Sequence, residues 1–155
     1  MATLTSKITE TITLDSGAMD SVNTLSISGI NDVLKRVVTC PANVDSTVAM
    51  FQAAENTADG AMAVADVKYI RVTNLDTANP INLSLQVAGA EGGTANMSAS
   101  HLLTAGQSFI LHTIHDGIAV SDANDTIVTS LNDLESILID PSANAVKVEV
   151  FIASV

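Results

Sequence analysis

Polar and apolar residues alternate with a period of two along most of the chain. The clearest case is residues 67–87, VKYIRVTNLDTANPINLSLQV. Alternate side chains of a strand point to opposite faces of a sheet, so each half of this stretch has one apolar face. Asp76, Asn79 and Pro80 separate the two halves, and these residue types favour turns. The stretch therefore predicts a β-hairpin that seeds an antiparallel sheet.

Similar runs occur on both sides of this stretch. They predict strands at residues 3–14, 22–30, 35–40, 46–52, 61–64, 97–103, 108–112, 134–139 and 145–155. The run 30–38 also fits one helical face, but the β-branched pair Val37 and Val38, followed by Pro41, favours a strand. Residues 104–107 are typical of a turn, so the runs around them predict a second hairpin, 97–112.

The number of strands indicates the fold class. About nine or ten short strands with turns at intervals of 8 to 12 residues predict an all-β fold with few or no helices. We expect a single-domain antiparallel β-sandwich, jelly-roll-like, over residues 15–155. Residues 1–14 are polar on both faces, which predicts an edge strand or an extended arm that pairs with a neighbouring subunit. The last run stays apolar, so we expect it to be held in the sheet or in a subunit contact.

Composition narrows the choice of partners. The chain has 155 residues, 47% of them hydrophobic but only 3% aromatic, and a net charge of −11. An acidic surface repels phosphate, so we expect no nucleic-acid partner. The sequence has no basic-then-apolar leader and no apolar run as long as a bilayer span, so we expect a soluble protein without a membrane partner, made in a reducing cytoplasm. Four aromatic residues fall in different predicted strands and are expected to meet in one core: Phe51, Tyr69, Phe109 and Phe151.

Candidate chemistry is sparse. A metal site, if one existed, would use His112, His115 and Asp116, but their strand-to-loop context favours histidines at a strand end or a subunit seam. The acidic loop with Asp122, Asn124 and Asp125 lacks the glycine and the later glutamate of a calcium loop.

Nucleophile motifs are also lacking. Cys40, the single cysteine, lies in an apolar run, which predicts a small buried hydrophobe. We therefore expect no catalytic residue, no bound metal and no cofactor, and a protein that is not an enzyme. Arg71 shares a strand face with Tyr69 and Thr73, which predicts a cross-strand pair with an acidic neighbour or a bidentate anchor for a carboxylate of another subunit.

Three segments resemble small structural proteins of tailed-bacteriophage virions. They are DVKYIRVTNLDTANPINLSLQV at 66–87, LTAGQSFIL at 103–111 and VKVEVFIAS at 146–154. The family in question is the acidic, sandwich-fold decoration or cement proteins of the capsid surface. The resemblance implies a virion component, often trimeric, that binds the major capsid protein on the outside of the shell and stabilises it.

Other functions remain open on the sequence. A head–tail connector, tail or fibre-base subunit is one alternative, and a carbohydrate- or calcium-binding sandwich module is another. For a decoration protein, contacts with other subunits or with the shell are expected on the arm, at Leu4, Ile8 and Ile12. Further contacts are expected at Arg71 and at the last strand, through Phe151 and Ile152.

Overall fold

The computed structural model describes residues 1–15, 17–54, 60–88, 97–120 and 127–155. These residues form thirteen strands: β1 (Ala2–Glu10), β2 (Thr13–Leu14), β3 (Gly17–Ala18), β4 (Ser21–Ile30), β5 (Asp32–Cys40), β6 (Ser46–Gln52), β7 (Ala61–Ala63), β8 (Val67–Asn74), β9 (Ile81–Val87), β10 (Met97–Leu103), β11 (Ser108–Leu111), β12 (Leu134–Asp140) and β13 (Val146–Ser154). The described ranges contain no helix, and so none that could cross a bilayer. The all-β prediction is confirmed, and the run 30–38 is strand, not helix.

Two sheets form the body of the molecule. A five-stranded sheet has the order β10-β9-β12-β6-β7, and a four-stranded sheet has the order β11-β8-β13-β5. All pairs are antiparallel except the short pair β6–β7. If β7 is left out, eight strands remain from β5 to β13. Numbered 1 to 8 in chain order, they lie in the orders 5-4-7-2 in one sheet and 6-3-8-1 in the other. This distribution is that of a jelly roll, so the predicted single-domain sandwich is confirmed.

The core lies between the two sheets and is aliphatic. On β13, Val146, Val148, Val150 and Ile152 point inward and are almost completely buried. Both sheets contribute buried residues to one cluster, in which Phe51 is the buried aromatic. Cys40 also lies in this cluster, and burial raises the pKa of its thiol, as expected for an unreactive core residue.

The predicted hairpin at 67–87 is wrong in its pairing. Its two strands are present, but β8 pairs with β11 and β13, whereas β9 pairs with β10 and β12 in the other sheet. The turn residues build a corner between the sheets, because Asn74 is fully buried there and its Nδ2 donates to the carbonyls of Asn79, at 2.9 Å, and Leu103, at 3.3 Å. The Asn74 side-chain oxygen accepts the N–H of Asp76 at 2.9 Å.

The second predicted hairpin, at 97–112, also crosses between the sheets. β10 pairs with β9, and β11 pairs with β8. Its turn packs on the same corner: the N–H of Gly106 donates to the carbonyl of Asn74 at 3.0 Å, and the N–H of Asn74 donates to the carbonyl of Gln107 at 2.9 Å. Gly106 has a φ of 76°, a value that a residue without a side chain adopts at little cost.

The aromatic residues do not meet in one core, so that prediction is wrong. Phe51 is buried between the sheets and Phe109 packs against the same cluster. Tyr69 and Phe151 lie on the outer face of the four-stranded sheet, with their ring centroids 5.9 Å apart in an edge-to-face arrangement. The alternation along β8 and β13 explains this split, because these two aromatics occupy the strand face opposite to the buried aliphatic residues.

The chain before the jelly roll forms a two-stranded β-ribbon, residues 2–30. β1 pairs with β4 from Thr3↔Ser28 to Glu10↔Ser21, and the small pair β2–β3 extends the ladder. With roughly 3.3 Å per residue, the ribbon is about 40 Å long. The first half of the ribbon is the segment for which the sequence predicts an edge strand or an arm. In the structure, β1 of this segment pairs with β4 of the same chain.

Candidate functional site

The outer face of the four-stranded sheet is organised in rows of neighbouring side chains. The strand register places Lys35, Phe151, Arg71 and Ile110 side by side, one residue from each strand. The neighbouring rows are Val37, Glu149, Thr73 and Ser108 on one side, and Val33, Ala153 and Tyr69 on the other. Such cross-strand neighbours are close enough to interact directly.

A charge network occupies the middle of this face. Arg71 Nη2 lies 2.5 Å from Glu149 Oε1, and a second Arg71 nitrogen donates to the Thr73 hydroxyl. Lys35 Nζ lies 3.5 Å from the other Glu149 oxygen. The hydrogen bond from Arg71 is the main reason that the pKa of Glu149 is lowered, with a smaller contribution from Lys35. The cross-strand pair predicted for Arg71 is present, while its role as an anchor for another subunit stays a prediction.

The base of the ribbon covers part of the outer face. Leu4, Ile27 and Ile30 pack there with Tyr69 and Phe151. This small cluster is the second hydrophobic cluster of the molecule, and it fixes the ribbon to the sheet.

The remaining part of the outer face is uncovered, and we call it the open face: Val33, Lys35, Val37, Thr39 and Lys147. Val33 and Val37 are 48% and 55% exposed, and the Lys35 side chain is 61% exposed. The open face combines two exposed valines with two lysines. These two lysines are among only six basic residues of the chain, and the open face as defined contains no acidic residue.

The far end of the ribbon has the opposite charge. We call residues 9–22 the ribbon tip; the described part is exposed throughout and carries Glu10, Asp15 and Asp20. The sequence has no lysine or arginine between Lys7 and Lys35. Four large apolar side chains of the tip are also 46–67% exposed: Ile12, Leu14, Met19 and Val22. Acidic and apolar groups therefore share one projecting element.

The ribbon stands off from the jelly roll beyond its base. A groove of about 540 Å³ separates Ile8 and Leu25 of the ribbon from Lys68 and His112 at the ends of β8 and β11. A second groove, of about 290 Å³, lies between β1 and the outer face near Arg71. The tip therefore leaves the sheet on the β11 side, whereas the open face lies at the opposite edge, on β5.

The histidines do not come together as the sequence spacing suggests. His112 packs edge-on against Tyr69, at 5.5 Å between ring centroids. His115 instead faces Asp133, with 2.8 Å between Nδ1 and Oδ1, and Asp116 is beside them. Each of these three residues offers one ligand atom within 4.8 Å of the others. Among the described residues, this is the group whose spacing would suit a cation.

A hydrogen-bonding role for Asp133 is equally well defined, because its Oδ1 also accepts the N–H of Asp116 at 2.7 Å. No sequence pattern points to Asp133, which is brought to this site by the bridge between Ile118 and Asn132. The candidate calcium residues Asp122, Asn124 and Asp125 lie outside the described residues.

The residues predicted for subunit or shell contacts have different environments. Ile8 and Ile12 are 45% and 51% exposed, on the ribbon. Leu4, in the ribbon base, and Phe151, in the sheet below it, are half-buried and contact the same small cluster. Ile152 has no exposed area and belongs to the sandwich core, so it cannot touch another subunit in this fold. The sequence predicts β4 and most of β5 as strands but points to no contact role for β4 or for the exposed valines of β5.

Comparisons with known proteins add little. No protein-family model and no curated protein matches the sequence. Among solved structures, a chain from Bacillus endospore appendages, which form a novel family of disulfide-linked pili, aligns with 84% of this chain and 96% of its own length. Its sequence identity is 14% and the TM-score is 0.36, so this likeness supports no conclusion about function.

Proposed function

We propose that this protein is a non-enzymatic virion protein that binds the major capsid protein on the outside of a phage shell and stabilises the shell, as a homo-oligomer and most simply a trimer. The observation that carries the assembly part is the ribbon tip, where exposed apolar side chains continue well beyond the ribbon base. Contiguous exposed apolar groups of this kind mark protein contacts. The capsid part rests on the resemblance of residues 66–87, 103–111 and 146–154 to decoration proteins.

The architecture suits such a role. A jelly roll presents two sheets of fixed shape, and the corner around Asn74 ties them together. Weak contacts made by each copy become strong when they are repeated over a lattice. The ribbon can reach a neighbour about 20 Å away, since about half of its length lies beyond the base.

Virions of the source phage, with this protein present and after it has been stripped off, provide the test. We expect the stripped shells to melt at a lower temperature and the purified protein to restore the original value on rebinding. An unchanged melting temperature would contradict the proposal. The number of copies per particle separates a head-surface protein, present in hundreds, from a connector, tail or fibre-base subunit, present in few.

A further inference from the structure

We propose that the ribbon tip of one copy docks on the open face of a second copy of this chain. This contact deepens the proposed function by naming the partner in the assembly, and it rests on that function only in requiring that the protein works as an oligomer. The tip supplies carboxylates and apolar side chains, and the open face supplies lysines and exposed valines.

Charge complementarity selects a second copy as the occupant. Glu10, Asp15 and Asp20 give the tip three negative charges, and residues 8–34 contain no lysine or arginine. Next to the open face, Glu149 is already paired with Arg71 and Lys35, and Lys147 is exposed beside them. An acidic partner fits that face, and the acidic, apolar element present on every copy is the tip.

Both surfaces also have apolar groups to bury. Val33 and Val37 stand on either side of Lys35 on the open face, because they alternate along β5. Ile12 and Met19, 51% and 67% exposed, lie opposite each other on one face of the ribbon and offer matching side chains on the tip. Oppositely charged groups around an apolar contact align two partners and exclude others, while the burial of the apolar groups supplies the affinity.

The geometry requires two different molecules. The tip leaves the four-stranded sheet on the β11 side, and the open face lies at the β5 edge of the same sheet. Each copy therefore has one tip to donate and one open face to fill. Such a head-to-tail contact closes into a ring if the rotation between copies is right, and otherwise forms a filament.

Charge exchange tests the contact on the full chain. The variant Asp15→Lys/Asp20→Lys is expected to weaken self-association at least about tenfold, measured by analytical ultracentrifugation at low salt. Lys35→Asp/Lys147→Asp is expected to do the same, and the four changes together should restore association to within about threefold of the original. Asp45→Lys/Asp116→Lys makes the same charge change elsewhere on the surface and should have little effect. A monomer at every concentration, or no rescue by the combined variant, would refute the contact.

A pair of cysteines reports the geometry independently of affinity. Met19→Cys with Val37→Cys should give, on mild oxidation, a covalent ladder that stops at the ring size, and three copies is the expected limit. Each single variant serves as its control, because one exposed cysteine per chain cannot link more than two copies. A double variant that yields no more than dimers would overturn the head-to-tail arrangement.

Self-association without shell binding would support this inference and contradict the proposed function. Shell binding by a monomer would contradict this inference and leave shell binding as the function.

Discussion

Asn74 shows how a single polar side chain decides the path of this chain. It has no exposed area, and its amide links two of the connections that pass between the two sheets, β8–β9 and β10–β11. A buried group of this kind is costly to leave unpaired, because its partners have then lost water without gaining a hydrogen bond. The jelly roll therefore depends on Asn74 at a point where the sequence suggests only a turn.

Replacing Asn74 tests this role. Asn74→Ala leaves the carbonyl of Leu103 and the N–H of Asp76 without their partner, so we expect the free energy of unfolding to fall by about 2–4 kcal/mol. Urea denaturation followed by circular dichroism gives this value. Asn82→Ala, on the exposed side of β9, is the matched control and should cost less than about 1 kcal/mol. Equal losses for the two variants would rule out a special role for Asn74.

The Glu149 network makes a second prediction at the residue scale, and it concerns pH. Arg71 lowers the pKa of Glu149 in the folded state, so the pair stabilises the protein above the ordinary glutamate pKa, about 4.3. This stabilisation is lost as the pH falls through the lowered value.

We therefore expect Glu149→Gln to reduce the free energy of unfolding by about 1 kcal/mol at pH 7, and the difference from wild type to shrink towards zero in acid. Urea titrations at several pH values measure the difference. Asp45→Asn, on an exposed loop, controls for the loss of one negative charge. A difference that stays constant down to roughly pH 3 would show that Glu149 acts by packing and not by its charge.

At the scale of elements, the sequence predicts the strands well but their partners poorly. Period-two alternation shows which residues of β8 and β9 share a face, and both strands appear where the pattern places them. Alternation says nothing about which strand lies alongside, since a turn rich in Asp, Asn and Pro suits a hairpin and a corner equally well. The burial of Asn74 distinguishes the two, and burial is a property of the whole fold.

The candidate site shows the same division. The strand face that Arg71 shares with Tyr69 and Thr73 predicts an acidic cross-strand partner as one of two roles, and the structure identifies that partner as Glu149. The HxxH spacing does not identify neighbouring side chains. His112 packs against Tyr69 on the outer face, whereas His115 lies in the following turn, where Asp116 has a φ of 45°. Spacing along the chain predicts proximity only when the local backbone is regular.

The ribbon docks on the jelly roll through few side chains, and this gives a prediction for a whole element. The double variant Leu4→Ser/Ile27→Ser removes the apolar contacts of the ribbon base with Tyr69 and Phe151. We expect amide hydrogen exchange in β1 and β4 to become faster, while exchange in β8 and β13 stays slow, because local opening then costs less than global unfolding. Ile12→Ser/Leu14→Ser changes the same residue types at the exposed tip and should leave exchange at the base unchanged. Unchanged exchange in the first variant would mean that the ladder itself, and not the small cluster, holds the ribbon.

At the scale of the whole molecule, the jelly roll joins the beginning of its own sequence to the end. β13 lies between β5 and β8, so the last strand is the sheet partner of the first strand of the jelly roll, and the described residues supply β5 with no other. Four of the large core residues, from Val146 to Ile152, also belong to β13. The sandwich therefore cannot form until most of the chain is present, and pairing over such a distance makes folding slow, in the range of milliseconds to seconds.

Truncation from either end distinguishes the jelly roll from the ribbon. Removing residues 146–155 should abolish cooperative unfolding, because β5 and β8 lose the strand between them and the core loses β13. Removing residues 1–30 should leave a cooperative transition, since the ribbon touches only the outer face of one sheet and the sandwich core has no contribution from it. Thermal melts followed by circular dichroism, together with the chemical-shift dispersion in one-dimensional NMR spectra, make the comparison.

If the protein without the ribbon is unfolded, the ribbon is part of the folding unit. The effect of the charge exchange at the tip must then be interpreted together with its effect on stability. If that protein folds but no longer self-associates, then the jelly roll is a stable support and the ribbon is the element that carries assembly.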